Sequence, residues 1–284
     1  MIAITGSTGQ LGQLAIKHLR EKVSGNEIVA LARSVEKANE VLGSDIVARQ
    51  ADYEDPASLK NALQGVKKLL LISSNEVGKR FPQHRNVIDA AKAAGVELLV
   101  YTSLLRADTS PLNLAPEHLE TEKYLKSSGL PYIILRNGWY SENYTASVPG
   151  ALQAGAFIGS AGDGKISSAA REDYAEAAVA ALTGQATKGK TYELAGDSAY
   201  TLTELASILS EVTGKTIPYQ NLPEDEYANI LIGAGLPEGL AKGLASWDIS
   251  ASQGALFGKE KALSQLIGRS TTPIRESIQA AIRL

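Results

Sequence analysis

Over its first 136 residues the chain alternates between two hydrophobic patterns. Short apolar, β-rich runs lie at Ile2–Thr5, Glu27–Arg33, Ile46–Gln50, Lys68–Ile72, Leu98–Ser103 and Tyr132–Arg136. Between them apolar residues recur with a helical period. Leu11, Leu14, Ala15, His18 and Leu19 share one face at i, i+3, i+4 spacing. The punctuation agrees. Ser34 reads as an N-cap and Gly43 as a stop. Asp55 caps a helix with Pro56 at its first position, ending at Gly65. Further helices are expected over Gln83–Ala94, with Gly95 behind it, and over Pro116–Ser128, followed by Gly129.

Strand and helix in strict alternation imply parallel strands joined by right-handed crossovers. Both sheet faces are then covered, which accounts for strands that are apolar throughout. The expected fold is α/β, a Rossmann-like doubly wound parallel sheet in the order 3-2-1-4-5-6. After residue 137 the rhythm loosens, with Gly150, Gly155, Gly159, Gly162 and Gly164 crowding one stretch. A helix over Glu172–Leu182, a strand at Thr191–Leu194 and a capping box at Thr201–Glu204 follow, with helices begun by Pro223 and Pro273. The expected division is a nucleotide-binding core over 1–136 and a smaller, dependent α/β lobe on the substrate side over 137–284.

Composition narrows the function. The 284 residues hold no cysteine, which excludes thiolate metal sites, iron–sulfur clusters and cysteine nucleophiles and fits a reducing compartment. With 28 basic and 31 acidic side chains the net charge is −3, no nucleic-acid footprint. The longest apolar run, Ala177–Leu182, is too short to span a bilayer. Met1–Gly6 carries no basic leader, and a cytoplasmic location is expected.

Thr5-Gly6-Ser7-Thr8-Gly9-Gln10-Leu11-Gly12 joins the first strand to the first helix in a G-x-x-G-x-x-G spacing. The first glycine permits the turn, the second lets a pyrophosphate approach the backbone, and the third lets helix and strand pack closely. Free N–H groups at the helix start then face the anion. The plain alternative is a glycine-rich turn with no ligand. No acid ends the second strand to take a ribose 2′-hydroxyl. Arg33 stands there instead, suited to a 2′-phosphate, so NADP(H) is favoured over NAD(H). Asp52-Tyr53 falls near the expected adenine position, and Ser73-Ser74-Asn75 near the ribose and nicotinamide; ordinary turn chemistry also explains both.

Thr5–Gly12, Arg33, Lys68–Asn75 and Leu135–Tyr144 together resemble the NmrA-like branch of the atypical short-chain dehydrogenase/reductases, with similarity running to the C-terminus. Within it the chain is most similar to bacterial quinone-reducing members and more distantly to triphenylmethane dye reductases. The resemblance implies NADPH held by Gly6, Ser7, Thr8, Gly9, Gln10, Leu11, Arg33, Ser73, Ser74, Asn75 and Asn137, Gly138, Trp139, Tyr140, Ser141, Glu142. It also implies a contact near Ser168 and a homodimer. Asn75 departs from the serine expected there.

The wider superfamily protonates its product with a tyrosine activated by a lysine four residues on. None of the 11 tyrosines has lysine at that spacing. A quinone does not require that acid, because hydride addition yields a stabilised phenolate that water can protonate. The expected reaction is therefore NADPH-dependent two-electron reduction of a small-molecule quinone by direct hydride transfer, without flavin or metal. Asn137 is the candidate for positioning quinone or nicotinamide, and Trp139 and Tyr140 either wall the crevice or pack in the core. Lys123 reads as a surface lysine beside Glu120 and Glu122, with a ribose or oxyanion role as the alternative. Arg171 and Asp173 read as structural charges at a helix start. His18, His84 and His118 lie on separate expected helices with no metal spacing. Two alternatives stay open: a non-catalytic NADP(H)-sensing regulator, and a reductase of another electron-poor acceptor such as a cationic dye.

Overall fold

The apolar runs of the first half become the strands of one parallel sheet. The computed structural model describes residues 1–283. In chain order the first half comprises β1 (Ile2–Ile4), α1 (Gln10–Arg20), β2 (Ile28–Ala32), α2 (Val35–Leu42), β3 (Val47–Gln50), α3 (Pro56–Ala62), β4 (Lys68–Leu71), α4 (Arg80–Ala93), β5 (Leu98–Leu104), α5 (Ala115–Ser127) and β6 (Tyr132–Asn137). The second half adds α6 (Glu142–Thr145), α7 (Val148–Ala154), β7 (Phe157–Gly159), α8 (Arg171–Leu182), β8 (Thr191–Leu194), α9 (Leu202–Thr213) and β9 (Tyr219–Asn221). It closes with α10 (Glu224–Gly233), α11 (Glu238–Ser252), α12 (Ala262–Ile267) and α13 (Ile274–Ile282).

The main sheet has seven strands in the order β3-β2-β1-β4-β5-β6-β8. Every pairing is parallel, with Ile2 opposite Ile28 on one side and Lys68 on the other. The order reverses between β1 and β4, and a crevice opens at the strands' C-terminal ends there. Local signals fixed the boundaries. The Ser34 hydroxyl accepts from the Lys37 amide at 3.1 Å, and the Asp55 carboxylate accepts from the Ala57 amide at 2.9 Å. β2 and β5 are buried along their whole length, whereas edge strand β3 exposes Val47 and Gln50. This edge is the exception to apolar-throughout strands, as solvent exposure requires.

A division at 136/137 does not follow the sheet. β8 pairs with β6 from Ile134–Thr191 to Asn137–Leu194 and supplies the seventh strand. It satisfies an edge whose N–H and C=O groups would otherwise face outward. The alanine-rich α8 shares one apolar cluster with Ile4, Ile16, Leu19 and Leu70. Its small side chains let it approach α1 closely. The remainder of the second half forms a separate cluster around Trp139, Tyr144, Phe157, Leu202, Leu205 and Ile278, beside a two-stranded β7–β9 ribbon. Among the described residues no helix is long and apolar enough to cross a membrane.

Candidate active site

A cleft of about 740 Å³ lies over the strand ends where the order reverses. Its floor is the glycine loop. Gly6 takes φ +57°, a left-handed conformation that favours glycine, and its carbonyl accepts from the Gly9 amide at 3.0 Å. A Cβ on Gly12 would stand 2.3 Å from the Gly6 carbonyl oxygen, so the helix can pack this close only with glycine there. Thr8, Gly9, Gln10 and Leu11 border the cleft, and α1 starts with no acid in its first turn. Ser7 turns inward: its buried hydroxyl donates to the Leu31 carbonyl at 2.9 Å and ties the loop to β2.

Arg33 borders the same cleft beyond β2, and its guanidinium has no ion-pair or hydrogen-bond partner among the described residues. Asp52 and Tyr53 line it after β3. The Tyr53 hydroxyl lies 2.8 Å from the Ile72 carbonyl and 2.5 Å from the Thr5 hydroxyl, bracing the loop against the end of β4. Ser73, Ser74 and Asn75 line the next section. Their backbone is pinned from behind, Ser73 N–H donating to the Thr102 hydroxyl and Ser74 N–H to His84 Nε2, both at 2.9 Å.

At the end of β6, Asn137, Gly138, Trp139 and Tyr140 complete the wall. Asn137 is 4% exposed, and its Oδ1 has no hydrogen-bond partner among the described residues. A Cβ on Gly138 would meet the Leu194 carbonyl oxygen at 2.8 Å, so this glycine admits β8. Ser141, Glu142 and Ser168 do not border the cleft. The Ser141 and Ser168 hydroxyls bond each other at 2.9 Å, and Ser168 reaches the Tyr200 hydroxyl at 2.6 Å. Glu142 accepts the Arg171 amide on both oxygens. These three organise the turn behind the wall. Lys123 is exposed on α5 and is not part of it.

Sequence reasoning missed several wall residues. Arg171 is one: its guanidinium carbon sits 4.7 Å over the Tyr140 ring, a cation–π arrangement bordering the cleft. Arg80, Gln83 and His118 are three more, all at least nine-tenths buried. Among the described residues Arg80 Nη1 and Gln83 Oε1 have no hydrogen-bond partner, although Arg80 Nε donates to the Ser74 carbonyl at 2.7 Å and Nη1 lies 3.8 Å from the Glu117 carboxylate. A signal existed for two of them. The buried face of α4 begins with Arg80, Gln83 and His84 before it becomes apolar.

Beneath this wall runs a buried charge network. Glu122, fully buried, takes two hydrogen bonds of 2.8 Å from Arg136 and one of 2.7 Å from Ser103. Burial opposes its ionisation, but Arg136 and Ser103 outweigh burial and hold the carboxyl below its usual 4.5. His84 is pushed down to about 3 by burial and then by the Arg80 charge, so it stays a neutral acceptor for Ser74. Away from the cleft, the structure does bring His18 together with Glu172 and Glu176. Lys17 and Arg269 already pair with these carboxylates.

An elongated, phosphate-bearing ligand fits these residues. The loop offers amides to a diphosphate, Arg33 offers an uncommitted cation, and three buried polar side chains of the wall hold atoms without a hydrogen-bond partner among the described residues.

Comparison with known proteins agrees with this geometry. Quinone oxidoreductase 2 of Escherichia coli strain K12 is 59% identical over 98% of this chain and 97% of its own. The crystal structure of an NADPH-dependent quinone oxidoreductase from Escherichia coli complexed with NADPH matches 99% of this chain and 100% of its own, with TM-score 0.96 and 58% identity. Citrobacter sp. triphenylmethane reductase complexed with NADP(H) matches 99% of this chain and 100% of its own, with TM-score 0.95 and 38% identity. The model of the NmrA-like family matches residues 1–272, and the chain belongs to that family.

Proposed function

We propose that this protein is an NADPH-dependent quinone reductase that carries out two-electron reduction by direct hydride transfer. The observation that carries the reading is the near-full-length similarity to an NADPH-bound quinone reductase, on a chain whose own cleft pairs a glycine loop with a free Arg33. Bound NADPH supplies the hydride, and the protein supplies position. Thr8 to Leu11 at the start of α1 hold the diphosphate through backbone N–H groups. Arg33 engages the 2′-phosphate in a charge-assisted contact. Ser73 to Asn75 hold the ribose and nicotinamide edge, and Asn137 turns its unpartnered carbonyl oxygen to the carboxamide or to the acceptor. Ser7, Ser141, Glu142 and Ser168 support these segments from behind. Core and lobe divide the labour, the sheet holding cofactor and the second half closing the acceptor side around Trp139. The cysteine-free composition supports a cytoplasmic setting and also denies quinones a soft nucleophile.

The test follows NADPH absorbance with 1,4-benzoquinone, menadione and a triphenylmethane dye as acceptors. Turnover with both quinones is expected. NADPH binding without turnover of any acceptor would make the protein a sensor instead.

A further inference from the structure

Quinone reduction leaves charge on an oxygen, and the tyrosine–lysine pair that handles such charge elsewhere in the superfamily is missing here. The structure offers a different donor. His118, on α5, is 5% exposed and shares the cleft wall with Ser103, Leu104 and Asn137. Its Nδ1 lies 2.8 Å from the hydroxyl of fully buried Tyr101; the Thr121 hydroxyl also approaches that phenol, but it already meets His84 Nδ1 and gives its own proton to the Glu117 carbonyl. A buried hydroxyl gives its proton to the acceptor within reach. Nδ1 therefore accepts, and the ring proton sits on Nε2. Nε2 has no protein partner among the described residues and is not fully buried. Of the neighbouring donors, Arg80 spends Nε on the Ser74 carbonyl and turns Nη1 towards Glu117, and two more are committed. His84 uses both nitrogens, on Ser74 and Thr121, and the Ser103 hydroxyl donates to Glu122.

We infer that His118 is a catalytic residue for quinone reduction, its Nε2–H donating a hydrogen bond to the quinone oxygen that becomes the hydroquinone anion. The inference rests on the quinone-reductase reading. The quinone gains one hydride, carrying two electrons, and NADPH leaves as NADP⁺; the resulting monoanion then takes one proton from water. His118 keeps its own proton throughout. Burial, and then the Arg80 charge, hold its pKa well below 6.5, so the ring is neutral and donates without discharging. A preorganised donor in a water-poor site is the device that stabilises developing oxyanions.

The test uses two acceptors of nearly equal size. In 2-chloro-1,4-benzoquinone the substituent itself stabilises the anion; in 2-methyl-1,4-benzoquinone it does not. H118F is expected to lower kcat roughly 30-fold with the methyl compound and under about tenfold with the chloro compound, less than an oxyanion-hole deletion because the product anion is already delocalised. The NADPH dissociation constant should not move. In the NADP⁺ complex, 4-nitrophenolate should bind about tenfold more weakly to H118F than to the wild type, a readout free of turnover. Equal losses with both quinones, or unchanged nitrophenolate binding, would overturn the role. Y101F, which unpins the tautomer, should reproduce the same order of losses and carries the test if H118F fails to fold. A shift of the methyl-to-chloro ratio in Y140F but not in H118F would assign the donor to Tyr140 and overturn this inference. A wild type that reduces neither quinone overturns the underlying reading instead, a result distinct from equal losses.

Discussion

The two ends of the cleft are made of different material. At the cofactor end the working groups are backbone amides of one eight-residue loop and one uncommitted guanidinium. At the acceptor end they are buried side chains held by other buried side chains. Glu122 reaches 14 positions to Arg136, and Arg136 reaches 57 to Glu193. Asp248, from the far lobe, bonds Tyr144 and Ser160 behind Trp139. The contrast teaches where each kind of specificity resides. Recognition of a dinucleotide needs little beyond local backbone geometry, whereas the acceptor wall exists only once distant segments have packed. Damage should therefore appear as lost affinity at one end and as lost stability at the other.

The largest expected effect is at the acceptor end. Glu122→Leu strands the buried Arg136 charge next to an apolar side chain, although Glu193 and Asp108 still face it. A loss of about 3–5 kcal/mol is expected in denaturant unfolding. A loss below about 1 kcal/mol would mean that the network is replaceable. Asp248 tests the same wall through pH. Burial raises its pKa to about 6, the Ser160 amide and Tyr144 hydroxyl opposing only in part. An unfolded aspartate titrates near ~3.9. The folded state thus holds its proton longer, and this group's contribution is full below ~4, declines as pH rises to about 6 and is flat above. The stability of the wild type minus that of Asp248→Asn should fall by about 2–3 kcal/mol from pH 4 to 7. A difference that is flat across this range contradicts the burial of an ionisable carboxyl there.

At the cofactor end the fold should survive and affinity should fall. A Cβ on Gly9 would stand 3.2 Å from the Gly6 carbonyl, and valine adds bulk over the diphosphate path. Gly9→Val is expected to weaken NADPH binding about 100-fold, roughly 2.7 kcal/mol, with an unchanged far-ultraviolet spectrum. Unchanged affinity would move the diphosphate elsewhere. The smallest effect is Arg33→Ala, which should cost about 2 kcal/mol of NADPH affinity and much less of NADH affinity, measured by fluorescence titration. Equal losses for the two cofactors would show that Arg33 does not read the phosphate.

The same contrast explains what the sequence could disclose. The glycine spacing, the helix caps at Ser34 and Asp55, and the six apolar runs are contiguous signals, and the sheet order follows from alternation and handedness. β8 was visible as a strand at Thr191–Leu194, but not its partner, because pairing with β6 is decided by an open edge and not by local pattern. α11, the longest helix among the described residues, turns Ala241, Ala245, Asp248 and Ala251 inward, small or polar side chains that give little hydrophobic contrast along the sequence. Arg171 looked structural at a helix start, and only the Tyr140 ring beneath it makes it part of the wall. Along the sequence His18, His84 and His118 show only the absence of a metal-ligand spacing. His84 and His118 instead converge on Tyr101, with ring centroids 5.3 and 6.0 Å away.

Hydride transfer from NADPH to a quinone can be read in an anaerobic single turnover with menadione, monitored at once by absorbance and electron paramagnetic resonance. One equivalent of hydroquinone per NADPH consumed and no semiquinone signal are expected. A semiquinone formed in proportion to NADPH, or no oxidation by a fully NADPH-bound protein, would contradict hydride transfer.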